Sequence, residues 1–319
     1  MKQRILITGG FGYVGGRIAT YLNSQDQYTL RLGSRKKQIA PDWLPQAETV
    51  SMDLFNLDSL ASATNQVHTV IHLAAMNENE CLADPSKAVL VNTLGTRNIL
   101  QAAIDSGAKR FIYFSTAHVY GAPLIGYISE NMLPAPIHPY AITHHGAEDF
   151  VLAANSQQKI KGVVIRLSNG FGAPVHPHVD RWTLLVNDLC RQLAETGKMV
   201  LRSSGVQKRD FITLEDISRA VGHLLHLPNS EYDGLFNLGG EASLSVLEIT
   251  KQIAFRCKTV LGFEPEIIRP NPNEKEIVHD LVFDISRLKN TGFSLTGNMN
   301  REIDETIKIS SKYFHKNHG

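Results

Sequence analysis

The feature that most constrains this chain lies at its start, where RILITGGFGYVGGRIATYL sets Gly10, Gly12 and Gly15 in G-x-G-x-x-G spacing. The spacing falls between a β-branched apolar run and a segment of helical period. Glycine permits a tight strand-to-helix turn, and backbone N–H groups there approach a diphosphate at the positive end of the helix. The turn is predicted to open a dinucleotide-binding unit.

The rest of the first half extends this pattern. Short apolar runs at 4–8, 29–32, 49–52, 69–73, 110–115 and 162–167 read as central parallel strands, because they are near-continuously hydrophobic. Between them, 13–24, 85–106 and 140–155 carry helical spacing. Strand–helix alternation predicts a Rossmann-type, doubly wound α/β sheet. Residues 1–165 are expected to form the dinucleotide-binding domain, with a return segment near 210–241. Residues 166–319 are expected to form a smaller, interleaved α/β substrate lobe with a helix at about 181–196 and a tail helix at about 300–315.

Composition narrows the partners. Of 319 residues, 43% are hydrophobic and 20% charged, which fits a globular chain. Lys and Arg total 32 against 31 Asp and Glu, so there is no broad basic field of the kind nucleic acid or anionic lipid selects. Three widely spaced cysteines make a complete disulfide framework impossible, and no apolar run approaches a membrane span or signal peptide. The chain is expected to be cytoplasmic. His176-Pro177-His178 lacks a matched ligand cluster and reads as a solvated loop over the substrate cleft, not a metal site.

At the end of the second strand, an NAD site would carry a carboxylate for the ribose 2′-hydroxyl, whereas this chain reads Leu32-Gly33-Ser34-Arg35-Lys36. Gly33 is read as replacing the acidic residue, and Ser34 with Arg35 as donors to a 2′-phosphate. NADP is therefore expected, with NAD as the alternative.

Further blocks follow in order: Asp53-Leu54, HLAA at 72–75, NTLGTRNIL at 92–100, STAHVYG at 115–121, PYAIT at 139–143, RLSNGFG at 166–172 and RDFITLED at 209–216. With the glycine turn, the chain resembles the extended short-chain dehydrogenase/reductase family of nucleotide-sugar epimerases, dehydratases and keto-reductases. The resemblance implies that Gly9, Gly12, Tyr13, Val14, Leu73, Ala74 and Ala75 line the dinucleotide and that Asp53 and Leu54 flank its adenine. It also implies that Asn92 supports the active-site region and counts among the cofactor-binding residues. Thr116 would orient the reacting oxygen, Tyr140 would transfer its proton, and Ala117, Asn169 and Arg209 would meet the substrate. A homodimer through the helices at 85–106 and 140–155 is implied as well.

One position departs from the family pattern. Lysine is expected four residues after the tyrosine, and this chain has His144, followed by His145. An unperturbed imidazole, of pKa ~6.5, holds only part of the lysine's charge near neutrality. If His144 takes over the electrostatic role, only its imidazolium does so fully. Weaker base catalysis favours reduction of a keto group on a nucleotide-linked sugar over epimerisation with tightly bound NAD. A binding protein with weakened catalysis is the further alternative. The Asp-Glu pair of the family's dehydratases is replaced by Ala117-His118, which disfavours 4,6-dehydration.

Overall fold

Alternation along the first strand decides the architecture. In β1 (Gln3–Thr8), Ile5 and Ile7 face one apolar layer while Leu6 faces another, and all three are fully buried. A strand buried on both faces needs helices on both faces. The computed structural model describes residues 2–228, 234–273 and 276–315. β1 lies within a seven-stranded sheet with β2 (Tyr28–Ser34), β3 (Glu48–Ser51), β4 (Thr69–His72), β5 (Arg110–Thr116), β7 (Lys161–Leu167) and β11 (Leu235–Leu238). The order is β11-β7-β5-β4-β1-β2-β3, and every pairing is parallel.

On one face Ile5, Ile7, Ile71 and Ile165 pack against α1 (Tyr13–Asn23) and α8 (Leu214–His226). On the other, Leu6, Val70, Phe111 and Val164 pack against α2 (Leu57–Thr64), α5 (Gly95–Asp105) and α6 (Pro139–Ser156). Short helices α3 (Glu78–Ala83) and α4 (Pro85–Ala88) precede α5. The helix expected over 85–106 is interrupted by a π-helical stretch, Val89–Leu94. Asn92 lies in this stretch with its side chain turned fully inward.

The second half builds a further apolar cluster from α7 (Leu185–Thr196), α9 (Val246–Leu261) and α11 (Met299–Phe314). Three small sheets accompany it: β12 (Ser243–Ser245), β10 (Lys208–Thr213) and β8 (Asn169–Phe171); β13 (Glu266–Ile268) with β9 (Lys198–Val200); and β14 (Leu281–Phe283) with β6 (Gly126–Ile128). The one-turn helix α10 (Ser286–Lys289) follows β14. β10 belongs to a small sheet and β11 to the main one, so the segment near 210–241 is divided between them. Arg17 of α1 reaches across to Glu302 of α11, with one nitrogen–oxygen distance of 3.0 Å.

Glu148 of α6 is fully buried and takes three hydrogen bonds from Arg166 of β7, at 2.7, 3.1 and 3.2 Å, together with one from the Ser115 hydroxyl of β5. This clamp joins two strands to the helix that carries Tyr140. Removing one member of a buried pair strands the other charge, at about 3–5 kcal/mol, whereas replacing both with apolar groups is far less costly. Arg166→Met is therefore expected to lose about that much stability in urea denaturation, and Glu148→Leu/Arg166→Met to recover most of it. Equal losses in the single and double variants would refute the clamp.

Candidate active site

The site forms along the C-terminal edge of the main sheet. Gly9 leaves β1 at φ +69°, a conformation glycine adopts without strain, and Gly12 N–H donates to the Gly9 carbonyl at 2.9 Å. A side chain at Gly15 would collide with the Gly9 carbonyl, so helix and turn pack backbone to backbone. The N-cap of α1, Gly12, supplies no side-chain cap, which leaves N–H groups at this helix end for a ligand. Opposite, the Leu73 and Ala74 N–H groups donate to Thr8 Oγ1 at 3.1 and 3.2 Å, which draws the 73–75 segment against the turn. The cradle fits a dinucleotide diphosphate. Val14 is half-buried beside the turn, but the Tyr13 hydroxyl bonds the Gly172 carbonyl and Asn187, so Tyr13 offers a ligand its backbone only.

The end of β2 corrects one reading. A Cβ at Gly33 would stand 2.5 Å from Met52 Sδ and point into the sheet layer, so position 33 does not present a side chain to a ribose. Ser34, half-buried at the strand end, and Arg35, exposed beyond it, are the groups available there. Asp53 is exposed and caps the Phe55 N–H, while Leu54 is buried against Gly95.

Asn92 is also reassigned. Its oxygen accepts the Met76 N–H at 2.8 Å, and its amide donates to Thr143 Oγ1 and the Cys81 sulfur. Having spent both ends on protein, its side chain braces α6 against the 76–81 segment.

Thr116 ends β5, its Oγ1 accepts the His118 N–H at 3.2 Å, and its hydroxyl lies near enough to the Tyr140 phenol to oppose the rise in its pKa. Tyr140 enters α6 directly after Pro139, and its own N–H is capped by His138 Nδ1 at 3.2 Å. Burial, reinforced by the Glu78 carboxylate, pushes the Tyr140 phenol up to about 12. Tyrosine, threonine and histidine are thus brought together, with one correction. His144 is 3% exposed and burial alone pulls it down to about 4, so it is a neutral imidazole near pH 7 and not a cation. Its ring lies edge-on to Tyr140, with centroids 4.4 Å apart.

On the substrate side, Asn169 starts β8 and donates to the Asp210 carbonyl at 2.9 Å, while Arg209 is exposed on β10 without a hydrogen bond or ion pair among the described residues. Ala117 packs into the apolar cluster of Val119, Tyr120 and Phe283 and presents little to a ligand. His118 Nε2 stands 3.4 Å from Glu78. Sequence spacing gave no signal for Glu78 or Tyr113, because the first reaches the site from a segment remote in the chain and the second is hidden in a strand. The two histidines of the 176–178 loop part company: His176 stacks on Trp43 and contacts the Phe11 carbonyl of the glycine turn at 3.0 Å, while His178 meets Tyr313 at 2.9 Å. His176 is therefore a half-buried, packed side chain, whereas His178 is exposed.

Residues 5–239 match the NAD dependent epimerase/dehydratase family. A putative UDP-glucose 4-epimerase of Methanocaldococcus jannaschii is 27% identical over 293 residues, covering 91% of this chain and 92% of its own. A dTDP-D-glucose 4,6-dehydratase of Mus musculus is 26% identical over 262 residues, covering 79% and 72%. In fold, the chain resembles the UDP-glucose 4-epimerase of Thermotoga maritima solved with UDP-glucose (TM-score 0.82, 20% identity, 97% and 99% coverage). It also resembles the UDP-glucuronic acid 4-epimerase of Bacillus cereus solved with NAD (TM-score 0.81, 21% identity, 97% of each chain). With the glycine turn, Thr116 and Tyr140 in place and the family match spanning the sheet, the chain belongs to the NAD dependent epimerase/dehydratase family, within the extended short-chain dehydrogenases/reductases.

Proposed function

We propose that this chain epimerises a sugar carbon of a nucleotide-linked sugar, using a tightly held NAD. The observation that carries the reading is the Thr116–Tyr140 pair at the sheet edge beside a diphosphate-sized glycine turn. Bound nicotinamide would supply reversible hydride transfer at the sugar carbon. Tyr140 moves the proton on the oxygen of that carbon, and Thr116 Oγ1 holds the same oxygen. Asn169 and Arg209 are assigned to the substrate diphosphate, the exposed guanidinium of Arg209 suiting a bidentate contact. In this reading residues 1–165 with β11 bind the dinucleotide and the remainder of 166–319 shapes the sugar pocket. The three cysteines, all buried and unpaired, accord with a reducing compartment.

A second reading has its own observation. Tyr140 faces the Glu78 carboxylate and a neutral His144, so the resting phenol is held protonated, as an acid for a keto oxygen requires. The end of β2, with Ser34 and Arg35 and no carboxylate, suits NADPH. This is keto-reduction.

Purified protein distinguishes the two. Epimerisation predicts that NAD is recovered on denaturation, that UDP-glucose is converted without net consumption of NADPH, and that Arg35→Ala leaves cofactor retention intact. Exchangeable NADPH binding at least ~10-fold tighter than NADH, a gap of ~1.4 kcal/mol that Arg35→Ala removes, would establish keto-reduction instead.

Tyr140→Phe is expected to lower turnover by about 10²–10⁴-fold with little change in cofactor affinity. His144, with its folded pKa below the ordinary value, is neutral at every pH above about 4 and contributes no step near pH 6.5. Rates measured from pH 6 to 8.5 should therefore show no His144-dependent inflection. A step near pH 6.5 that vanishes in His144→Gln would contradict the neutral imidazole.

Assembly is proposed as a homodimer. Val89 and Leu90 of the π-helical stretch and Ile142 and Phe150 of α6 lie exposed on neighbouring helices, an apolar surface suited to a second copy. Light scattering at micromolar concentration should give twice the chain mass, and Leu90→Asp/Phe150→Asp should give the monomer. A monomeric parent protein would refute the assignment.

A further inference from the structure

His144 has a partner that the helix it sits on does not supply. Tyr113, on β5, is 2% exposed, and its hydroxyl stands 2.7 Å from His144 Nδ1. The rings stack with centroids 5.8 Å apart and planes 26° apart. The other imidazole nitrogen, Nε2, is buried without a hydrogen-bond partner among the described residues. Buried polar atoms are rarely left so, and an orphan atom in a binding cleft points to a group that arrives with a ligand.

The proton assignment follows from the surroundings. Burial, with the Glu148 charge adding to it, holds the Tyr113 phenol well above its ordinary pKa, so it keeps its proton and needs an acceptor. On its other face lies His72, stacked at 5.9 Å, with both nitrogens engaged. Thr8 Oγ1 already accepts the Leu73 and Ala74 N–H groups, so it donates its own hydrogen to His72 Nδ1 at 2.6 Å. His72 Nε2–H then donates to Thr96 Oγ1 at 3.0 Å, and Thr96 donates on to the Asn92 carbonyl. With His72 closed as an acceptor, and although the Thr96 hydroxyl also neighbours the Tyr113 phenol, the 2.7 Å contact assigns His144 Nδ1 as the acceptor for Tyr113.

We propose that Tyr113 is a positioning residue: by donating to Nδ1, it fixes His144 as the tautomer protonated on Nε2 and presents that N–H as a neutral donor to a ribose hydroxyl of the bound dinucleotide. The inference rests on the dinucleotide-dependent reading above and deepens it. In place of the lysine expected at this position, this chain uses a two-residue relay anchored in β5. The hold is independent of pH across the neutral range.

Nuclear magnetic resonance of unliganded protein labelled with ¹⁵N-histidine reads the tautomer directly, with His144 assigned by the peaks lost in His144→Phe. The expected state at pH 7.5 is Nε2 protonated and Nδ1 accepting, with the Nδ1 resonance displaced in Tyr113→Phe. A proton on Nδ1 would overturn the proposal. Calorimetric titration with NADH and with NADPH supplies the functional arm. Tyr113→Phe and His144→Phe should each weaken the tighter dinucleotide by about 3- to 10-fold, the worth of one hydrogen bond, and the double variant should be no weaker than His144→Phe alone. ADP, which lacks the nicotinamide ribose, should bind all four proteins equally. Additive losses, or a parallel loss of ADP affinity, would make Tyr113 merely structural and overturn the assignment. Failure of the functional reading is distinct: neither dinucleotide binds the parent protein, while the tautomer is as stated.

Discussion

The geometry of the site depends on one buried carboxylate. Glu148 lies two turns along α6 from the segment bearing Tyr140, and it is gripped by Arg166 from β7 and Ser115 from β5. Ser115 immediately precedes Thr116, so the same contact that seats the helix also fixes the strand end on which Thr116 stands. Buried charges are tolerated only when matched in this way. The guanidinium of Arg166 also lies over the Tyr120 ring at 4.6 Å, which extends the anchor into the turn following Thr116. Thr116 and Tyr140, the proposed catalytic pair, are thus registered by an ion pair behind them.

Against that fixed frame, the electrostatics of the site are set by burial. His72 is pulled down to about 3 and His144 to about 4, both chiefly by desolvation, and Tyr140 is raised. Imidazoles that would share a positive charge in water are neutral here and work as hydrogen-bond relays. The carboxylate of Glu78 is the charge that most directly opposes ionisation of Tyr140, and its helix is held by the capping box of Asn77 and Glu80. A site of this kind keeps the phenol protonated and generates a phenolate reluctantly unless a bound cation assists. That property bears on both directions of the proposed chemistry, since epimerisation needs a base and an acid in turn.

Legibility in the sequence followed the range of the interactions involved. The glycine turn, the six early strands and the return strand near 234–240 were readable, because turn chemistry and burial on two faces leave local marks. Helix α9 went unread although it is bounded by a capping box of Ser245 and Glu248 and closed by Gly262 at φ +82°. The π-helical break at Val89–Leu94 was not readable, since it accompanies inward bonds from Asn92 to segments on either side of it in the chain. Gly33 was misread for a related reason. Its spacing marks the strand end, but whether a side chain has room there depends on Met52, just past the neighbouring strand.

The sequence by itself determined the order of strands and helices, the diphosphate cradle, and the residue types Thr116, Tyr140 and His144 at their spacing. Each is a consequence of period, turn chemistry or separation along one helix. Tertiary structure decided what those groups are chemically. A histidine's charge depends on how much water surrounds it, and its tautomer depends on which donor reaches it. For His144 the absence of water comes from packing between α6 and β5, and the donor is Tyr113, 31 residues earlier in the chain. No local pattern encodes either, because desolvation and cross-strand hydrogen bonding exist only once the sheet and its helices have closed over one another.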